Sequence, residues 1–390
     1  IDAGGTVTTV GTVLNSGHVL MDYGPDYLAI ADSGSLFLFD GTTVTQVTDS
    51  NLGLVVDVIW VDGYYMTTDG AFLVITELND PFAVDPLKYG SSEVDPDPIL
   101  ALRKVRNEVY AVNRYTIEVF QNVGGTGFPF QRVPGAMIRK GAVGTHAVTE
   151  YIDGVAFLGG GKEDGRTEPL GVWYGMNGGV QRLSTTEIDR ILTEYSDADL
   201  AAALVDTRTD PGHKFLDIHL PDRTLVYDAA ASAEAGVPVW HVLQTGNSAW
   251  RVISPIYAYG QWNVADTVSA AIGVLSDDVQ THWGHSISWQ FGTVVVYNEA
   301  RNGIIHQMEL DALTGRVPLG SNPQIWTQWS ADGVTWSQPL YIGAGVQGER
   351  NKRLAWFQQG PIRKRRMQRF GGNSHMSINR LDAEIEGLSA

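Results

Sequence analysis

The sequence predicts an all-β protein: a β-propeller of roughly five to seven blades, with a small helical insert and a C-terminal β-rich segment. Three observations predict it. A strand–turn–strand phrase recurs along the first two-thirds of the chain. Glycine and aromatic residues are abundant, with 44 Gly, 11 Trp and 15 Tyr among 390 residues. Within each phrase, side chains alternate with a period of two, as pleated strands require.

The phrases run in order. "YLAIADSGSLFLFDGTTVTQVTD" (27–49) is strand, turn, strand, Asp-Gly turn, strand. "VIWVDGYYMTTDGAFLVITEL" (58–78) turns at Asp62-Gly63 and Asp69-Gly70. Asp-Gly suits a type I′ turn, which needs positive φ at both central residues. The third copy, 99–123, turns at Arg106-Asn107 and Asn113-Arg114; a fourth spans 147–183 and a fifth 214–246. The copies start about 30 to 65 residues apart, bracketing the ~40 to 50 of blade-type repeats. One hairpin set cannot bury both of its faces, and radial stacking does so. A series of β-sandwiches is the alternative. The propeller is placed at 1–285.

The helical insert is expected at 184–205. Ser184 and Glu187 have capping-box spacing, and Ile188, Ile191, Leu192 and Tyr195 share one helical face. Ser196 and Asp199 can open a second short helix carrying Leu200, Ala203 and Leu204. Over 286–390, "SISWQFGTVVVYN", "GIIHQMELDAL", "QIWTQWSADGVTWSQPLYIG" and "SHMSINRLDAEIEGL" read as longer strands, either sandwich-like or completing the ring.

With 43% apolar and 18% charged residues, the chain is globular rather than disordered. No apolar run approaches a membrane span. There is no cysteine, which excludes disulfides and thiolate metal sites. Starting at Ile1 rather than methionine fits a trimmed or partial piece of a longer protein. The formal charge is −17, yet residues 350–380 hold nine Lys or Arg and no acid, leaving −26 elsewhere. Such asymmetry points to a partner surface.

Most motifs with chemical promise fail on inspection. "FLGGGKEDG" (157–165) lacks the Ser or Thr after Lys162 and the earlier glycine of a phosphate loop, and reads as a glycine turn. His282 and His285 have zinc spacing, with Asp277 and Asp278 the only further ligands nearby. His213 and His219 share a strand face, where histidines usually pack. Glu93, Asp95 and Asp97 sit in a proline-extended acidic loop. "SADGVTW" (330–336) resembles the Asp-box turn of sialidase-like propellers, one residue short. It leaves a glycan-active or glycan-binding propeller as the alternative function, with Trp262 or Trp283 as platforms. No catalytic, cofactor or metal residues are assigned.

The basic stretch "GPIRKRRMQRF" (360–370) is the candidate contact site. Arg363, Arg365 and Arg369 fall on one strand parity, Lys364 and Arg366 on the other. Both faces are therefore expected to be cationic, suiting an acidic partner or phosphate better than a solvated edge strand.

Several stretches are similar to the packaged-DNA stabilisation proteins of short-tailed bacteriophages, which form the tail hub or nozzle. The carriers are "TEIDRILTEYSDADLAAALVDTRTDPGHKFLDIHLPDRTLVYDA" (186–229), and 108–147 with its Lys140-Gly141-x-x-Gly144 turn. "WSADGVTW", "GPIRKRRMQRFG" and the last strand to Glu386 add to it. The resemblance implies a structural virion protein forming a homo-oligomeric, six-fold ring below the portal and its adaptor. That ring continues the channel for genomic double-stranded DNA and retains the genome until ejection. A plug, needle or fibre protein is the partner below. Assembly belongs in the bacterial host cytoplasm. The resemblance brings no catalytic residues and no cofactor.

Overall fold

In the computed structural model the described residues are 2, 4–14, 17–276, 279, 281–297 and 303–387. The chain divides into two compact units, Ile1–Gln244 with Ser248–Leu275, and Thr245–Asn247 with Ser276–Ala390.

The first unit is a succession of six antiparallel sheets. Their first strands are Leu20–Tyr23, Asp57–Val61, Ile99–Val105, the Gly141–Ala142 and Val148–Tyr151 pair, Leu204–Asp210 and Val252–Ala258. Sheets one to three are four-stranded meanders, four and five have five strands, and the sixth has three. The turns behave as their residues dictate. Asp62 and Gly63 have φ of 48° and 90°, the left-handed pair of a type I′ hairpin, joining Asp57–Val61 to Tyr64–Thr68. Asp69-Gly70 differs: only the glycine has positive φ, and the Asp69 carboxylate caps the loop by accepting from Ala71 and Phe72 N–H.

Each core is built by two neighbouring sheets. Ala29, Leu36 and Leu38 of the first meet Val58 and Tyr65 of the second. Ile59, Met66 and Leu73 meet Leu102, Val109 and Phe120. Val112 and Ile117 meet Val148 and Phe157. Leu158 and Val172 meet Val205, Leu216 and Leu225. The second, third and fourth sheets thus each contribute to two cores, one on either face, in keeping with the propeller reading. Apolar area removed from water at about 25 cal/mol per Å² is the main stabilising term.

The insert forms two short helices, Thr186–Leu192 and Asp197–Ala201. Ile188, Leu192 and Leu200 pack onto the fourth and fifth sheets. The second helix has the expected Ser196–Asp199 capping box. The first does not use Ser184. Its N-cap is Thr185; the Ser184 oxygen instead accepts from Val172 N–H at 3.2 Å, while its hydroxyl donates to Asp189 at 2.6 Å. Leu204 lies not in a helix but at the head of the strand Leu204–Asp210.

The second unit is a sandwich. One sheet runs Trp289–Gly292, Arg365–Gly372, Gln324–Ser330, Leu340–Gly343, and the other Leu354–Ile362, Gly303–Leu313, Ser377–Glu386. Ile305, Met308, Leu310, Ile325, Trp356 and Phe370 form its core.

Candidate functional site

The basic stretch is a corner between the two sandwich sheets. It leaves Leu354–Ile362 in one sheet, turns at Arg363 and Lys364, and enters Arg365–Gly372 in the other. That second strand lies between Trp289–Gly292 and Gln324–Ser330, so it is an interior strand, not an edge.

The expectation that both faces are cationic is corrected here. Arg366, Gln368 and Phe370 are buried. Arg366 is 3% exposed; its Nη1 donates to the Gln359 carbonyl at 2.7 Å and its Nε to Gln368 Oε1 at 3.0 Å. Its guanidinium lies over Trp329, 5.1 Å from the ring centre. Burial without an opposing carboxylate pulls its pKa down to about 10. Arg369 is also committed. It stacks on Trp336 at 4.0 Å and donates to Gln328 Oε1 at 3.0 Å. A polar lining around aromatic rings thus lets two arginines of the five serve the sandwich itself.

The other three face outward. Arg363, Lys364 and Arg365 are exposed, and Arg365 Nε donates to the Ala331 carbonyl at 2.7 Å. With Pro361, Trp329, Ala331 and Arg366 they surround a groove of about 550 Å³. An apolar floor with a cationic rim can hold an acidic chain segment by charge-assisted hydrogen bonds.

A second constellation, absent from the sequence reading, joins the inner strands of the propeller. Asp22 Oδ2 accepts from Trp60 N–H, Asp57 Oδ2 from Leu102 N–H and Asp206 Oδ2 from Ser254 N–H, each at 2.7 Å. In each case an acid of one inner strand bonds the backbone of the next. Between the third and fourth sheets an arginine does this work: Arg103 Nη2 donates to Val148 O at 2.8 Å, and its Nη1 to Asp57 at 2.7 Å. Between the fourth and fifth, Val205 N–H donates to His146 O at 2.9 Å. Burial raises the Asp57 carboxyl above its ordinary range, although Arg103 opposes this. His146, packed against His18 with ring centres 5.6 Å apart, is pulled down to about 4 by burial. The signal available in sequence was an acid or base breaking an apolar run, as in "VVDVIW" and "ALRKV".

The remaining motifs fall into structural roles. Lys162 and Asp164 belong to a small hairpin, Lys162–Glu163 with Arg166–Thr167. His282 and His285 face each other across a two-residue turn; Asp277 and Asp278 lie outside the described residues. Among the described residues no group of three or more His, Asp or Glu has metal-binding placement. His213 bonds Asp228 at 2.7 Å, and His219 stacks on Trp250. Asp97 is buried, accepting from Tyr115 N–H at 2.6 Å, while Glu93 and Asp95 are exposed. Asp332 caps its turn by accepting from Val334 and Thr335 N–H at 2.8 and 2.7 Å, and this holds its carboxyl far below the usual range. That turn lies in the sandwich, with Trp336 beneath Arg369.

These features define a β-propeller followed by a β-sandwich, the propeller's sheets joined by side-chain staples. The chain belongs to the bacteriophage P22 Gp10 family: the family's β-propeller model matches residues 1–280, and its β-sandwich model residues 288–386. The chain is 27% identical over 377 residues to the tail hub protein gp10 of Salmonella phage P22, covering 91% of this chain and 77% of that one. The family resemblance drawn from the sequence is therefore correct, as is the propeller. Among solved structures, the extracellular domain of a B. thetaiotaomicron one-component system matches with TM-score 0.38 and 9% identity, over 85% of this chain and 45% of that one. An engineered GH43 glycoside hydrolase matches with TM-score 0.29 and 10% identity, over 94% and 97%. Scores this low carry no argument. The chain spans less than half of the first of these structures.

Proposed function

We propose that this chain is a structural subunit of a phage tail hub, assembled as a homo-hexameric ring below the portal or its adaptor and closed by a plug, needle or fibre protein. The carrying observation is the family match across both the propeller and the sandwich. The ring continues the channel for genomic double-stranded DNA, holds the genome until ejection and works without catalysis or cofactor. It is assembled in the host cytoplasm and resides in the virion. No helix among the described residues is long and apolar enough to cross a membrane.

Physical arguments support this reading. Duplex does not pass through the propeller itself, whose inner strands are bonded one to the next. The passage in this reading lies between copies. A wall that does not retain DNA should offer few phosphate contacts, since each adds affinity through counterion release. The −26 outside residues 350–380 supplies such a wall. Several of its acids are turn caps with lowered pKa, including Asp40, Asp49 and Asp332, so they stay charged well into the acid range.

The outward cations Arg363, Lys364 and Arg365 dock the subunit on an acidic neighbour, while Arg366 and Arg369 hold the corner rigid. The propeller (1–285) and the C-terminal segment (286–390) act as separate modules, one forming the ring and one docking. Electron microscopy of the purified chain mixed with portal–adaptor complex tests this. Six-fold rings seated below the adaptor are expected; isolated monomers that ignore the complex would refute it.

A further inference from the structure

The sixth sheet ends one strand short of the smallest of the other five. Its last strand, Ile272–Leu275, pairs with Gln261–Asp266 on one side and, among the described residues, is the end of the sheet on the other. Ile272 and Val274 are 54% and 47% exposed. "IGVL" carries no charge or proline, so this edge lacks the devices that usually protect one. The same sheet exposes Ile256 and Tyr257.

At the start of the same unit lies a segment that matches this gap. Val7–Leu14 reads "VTTVGTVL", with six β-branched residues in eight and no charge, a composition that favours strands. It pairs with no strand among the described residues, and Val7 and Leu14 are 73% and 57% exposed. Gly11 lies against Val44, placing the segment beside Val44–Gln46, the outermost strand of the first sheet. A strand former without a ladder and an uncharged edge without a pairing strand among the described residues occur in one chain, and no ladder joins them there.

We propose that Val7–Leu14 of one copy adds as a fourth strand to Ile272–Leu275 of a second copy. Main-chain ladder bonds supply the affinity, and the pockets that take every second side chain set the register. Donor and acceptor surfaces differ, so the contact is head-to-tail and repeats until a ring closes. The inference rests on the ring-forming reading above and names the contact that would make the ring.

The absence of cysteine gives a clean test. Val10→Cys and Val274→Cys are combined in the full chain, which is oxidised mildly while its mass is followed by light scattering. The result expected is a ladder of covalent multimers ending at the ring size, with neither single variant going beyond dimers. Deletion of residues 6–14 is expected to lower ring formation about tenfold or more while leaving the monomer's unfolding midpoint unchanged. A cross-link within one chain overturns the proposal, because the segment then closes its own sheet. Rings of normal mass that never cross-link also overturn it, but leave the tail-hub reading standing. Monomers under all conditions, with the portal–adaptor complex present, overturn both.

Discussion

Asp57 offers the sharpest test of how the propeller is held. Its Oδ1 accepts from Val58 N–H, and its Oδ2 from Leu102 N–H and from Arg103 Nη1, all at 2.7 Å. The side chain is 1% exposed and that of Arg103 14%. Asp57→Ala strands the buried guanidinium and leaves the Leu102 N–H without its acceptor. Breaking one side of a buried pair costs about 3–5 kcal/mol. Asp57→Asn keeps one acceptor oxygen, turns the other into an NH2 donor that faces an N–H, and loses the charge, so about 1–3 kcal/mol is expected. The assay is the urea midpoint of the isolated chain, followed by tryptophan fluorescence and circular dichroism. Combined with Arg103→Ala in a double-mutant cycle, it should return a coupling of about 1 kcal/mol or more. The pH dependence has a definite sign. Burial raises the Asp57 carboxyl in the fold, so its ionisation opposes folding above that raised value, and the opposition disappears as pH falls through it. Asp57→Asn should remove this component. A loss below about 1 kcal/mol for Asp57→Ala, or equal losses for Ala and Asn, would show that the inner strands do not depend on the staple.

The two populations of arginine at the sandwich corner should separate. Changing Arg363, Lys364 and Arg365 to Ser is expected to leave the thermal midpoint unchanged while weakening assembly with the neighbour, most visibly as salt is lowered; sedimentation at two ionic strengths measures it. Arg366→Ser should instead destabilise the sandwich by about 2–4 kcal/mol, since it removes a packed side chain from Trp329 and the Gln359 carbonyl. Asp332 has a pKa lowered from the ordinary 3.8 by the N–H groups of Thr335 and Val334. Its stabilisation is therefore complete above that ordinary value and lost as pH falls toward the lowered one. Urea midpoints measured from about pH 5 down to about pH 2 should fall less steeply for Asp332→Asn than for the natural chain. Ser196→Ala should cost about 1 kcal/mol through loss of the capping box, read from the same unfolding curves.

What was legible in the sequence was local. Asp62-Gly63 specifies its turn through backbone sterics, and the alternation in Glu108–Asn113 specifies a strand, whatever surrounds them. The sixth sheet was not read, because Ser254 takes a positive φ and Pro255 interrupts the run, with the register shifting between Ile253 and Ile256. The inner-strand staples were invisible for a different reason. Asp22 and Trp60, or Asp206 and Ser254, are partners only once two sheets pack; a charge inside an apolar run marks some of the residues but not their partners. The basic corner was half legible. Charge density was visible, but parity misled, since Arg366 enters the core by satisfying carbonyls and a tryptophan face rather than by finding a carboxylate among the described residues. The Ser184 capping box failed through competition, because Val172 N–H and Arg182 Nε, brought near by the neighbouring strands, donate to its oxygen.

The proposed function depends on acid-rich subunits surrounding the exit path of a packaged genome and keeping it inside. The direct measurement is the DNA content of phage particles assembled in host cells with and without this chain, taken by quantitative sedimentation after release. Particles lacking it should be recovered largely empty, with unpackaged heads and free DNA in the lysate. Full heads that stay full through purification, in the absence of the chain, would contradict the account.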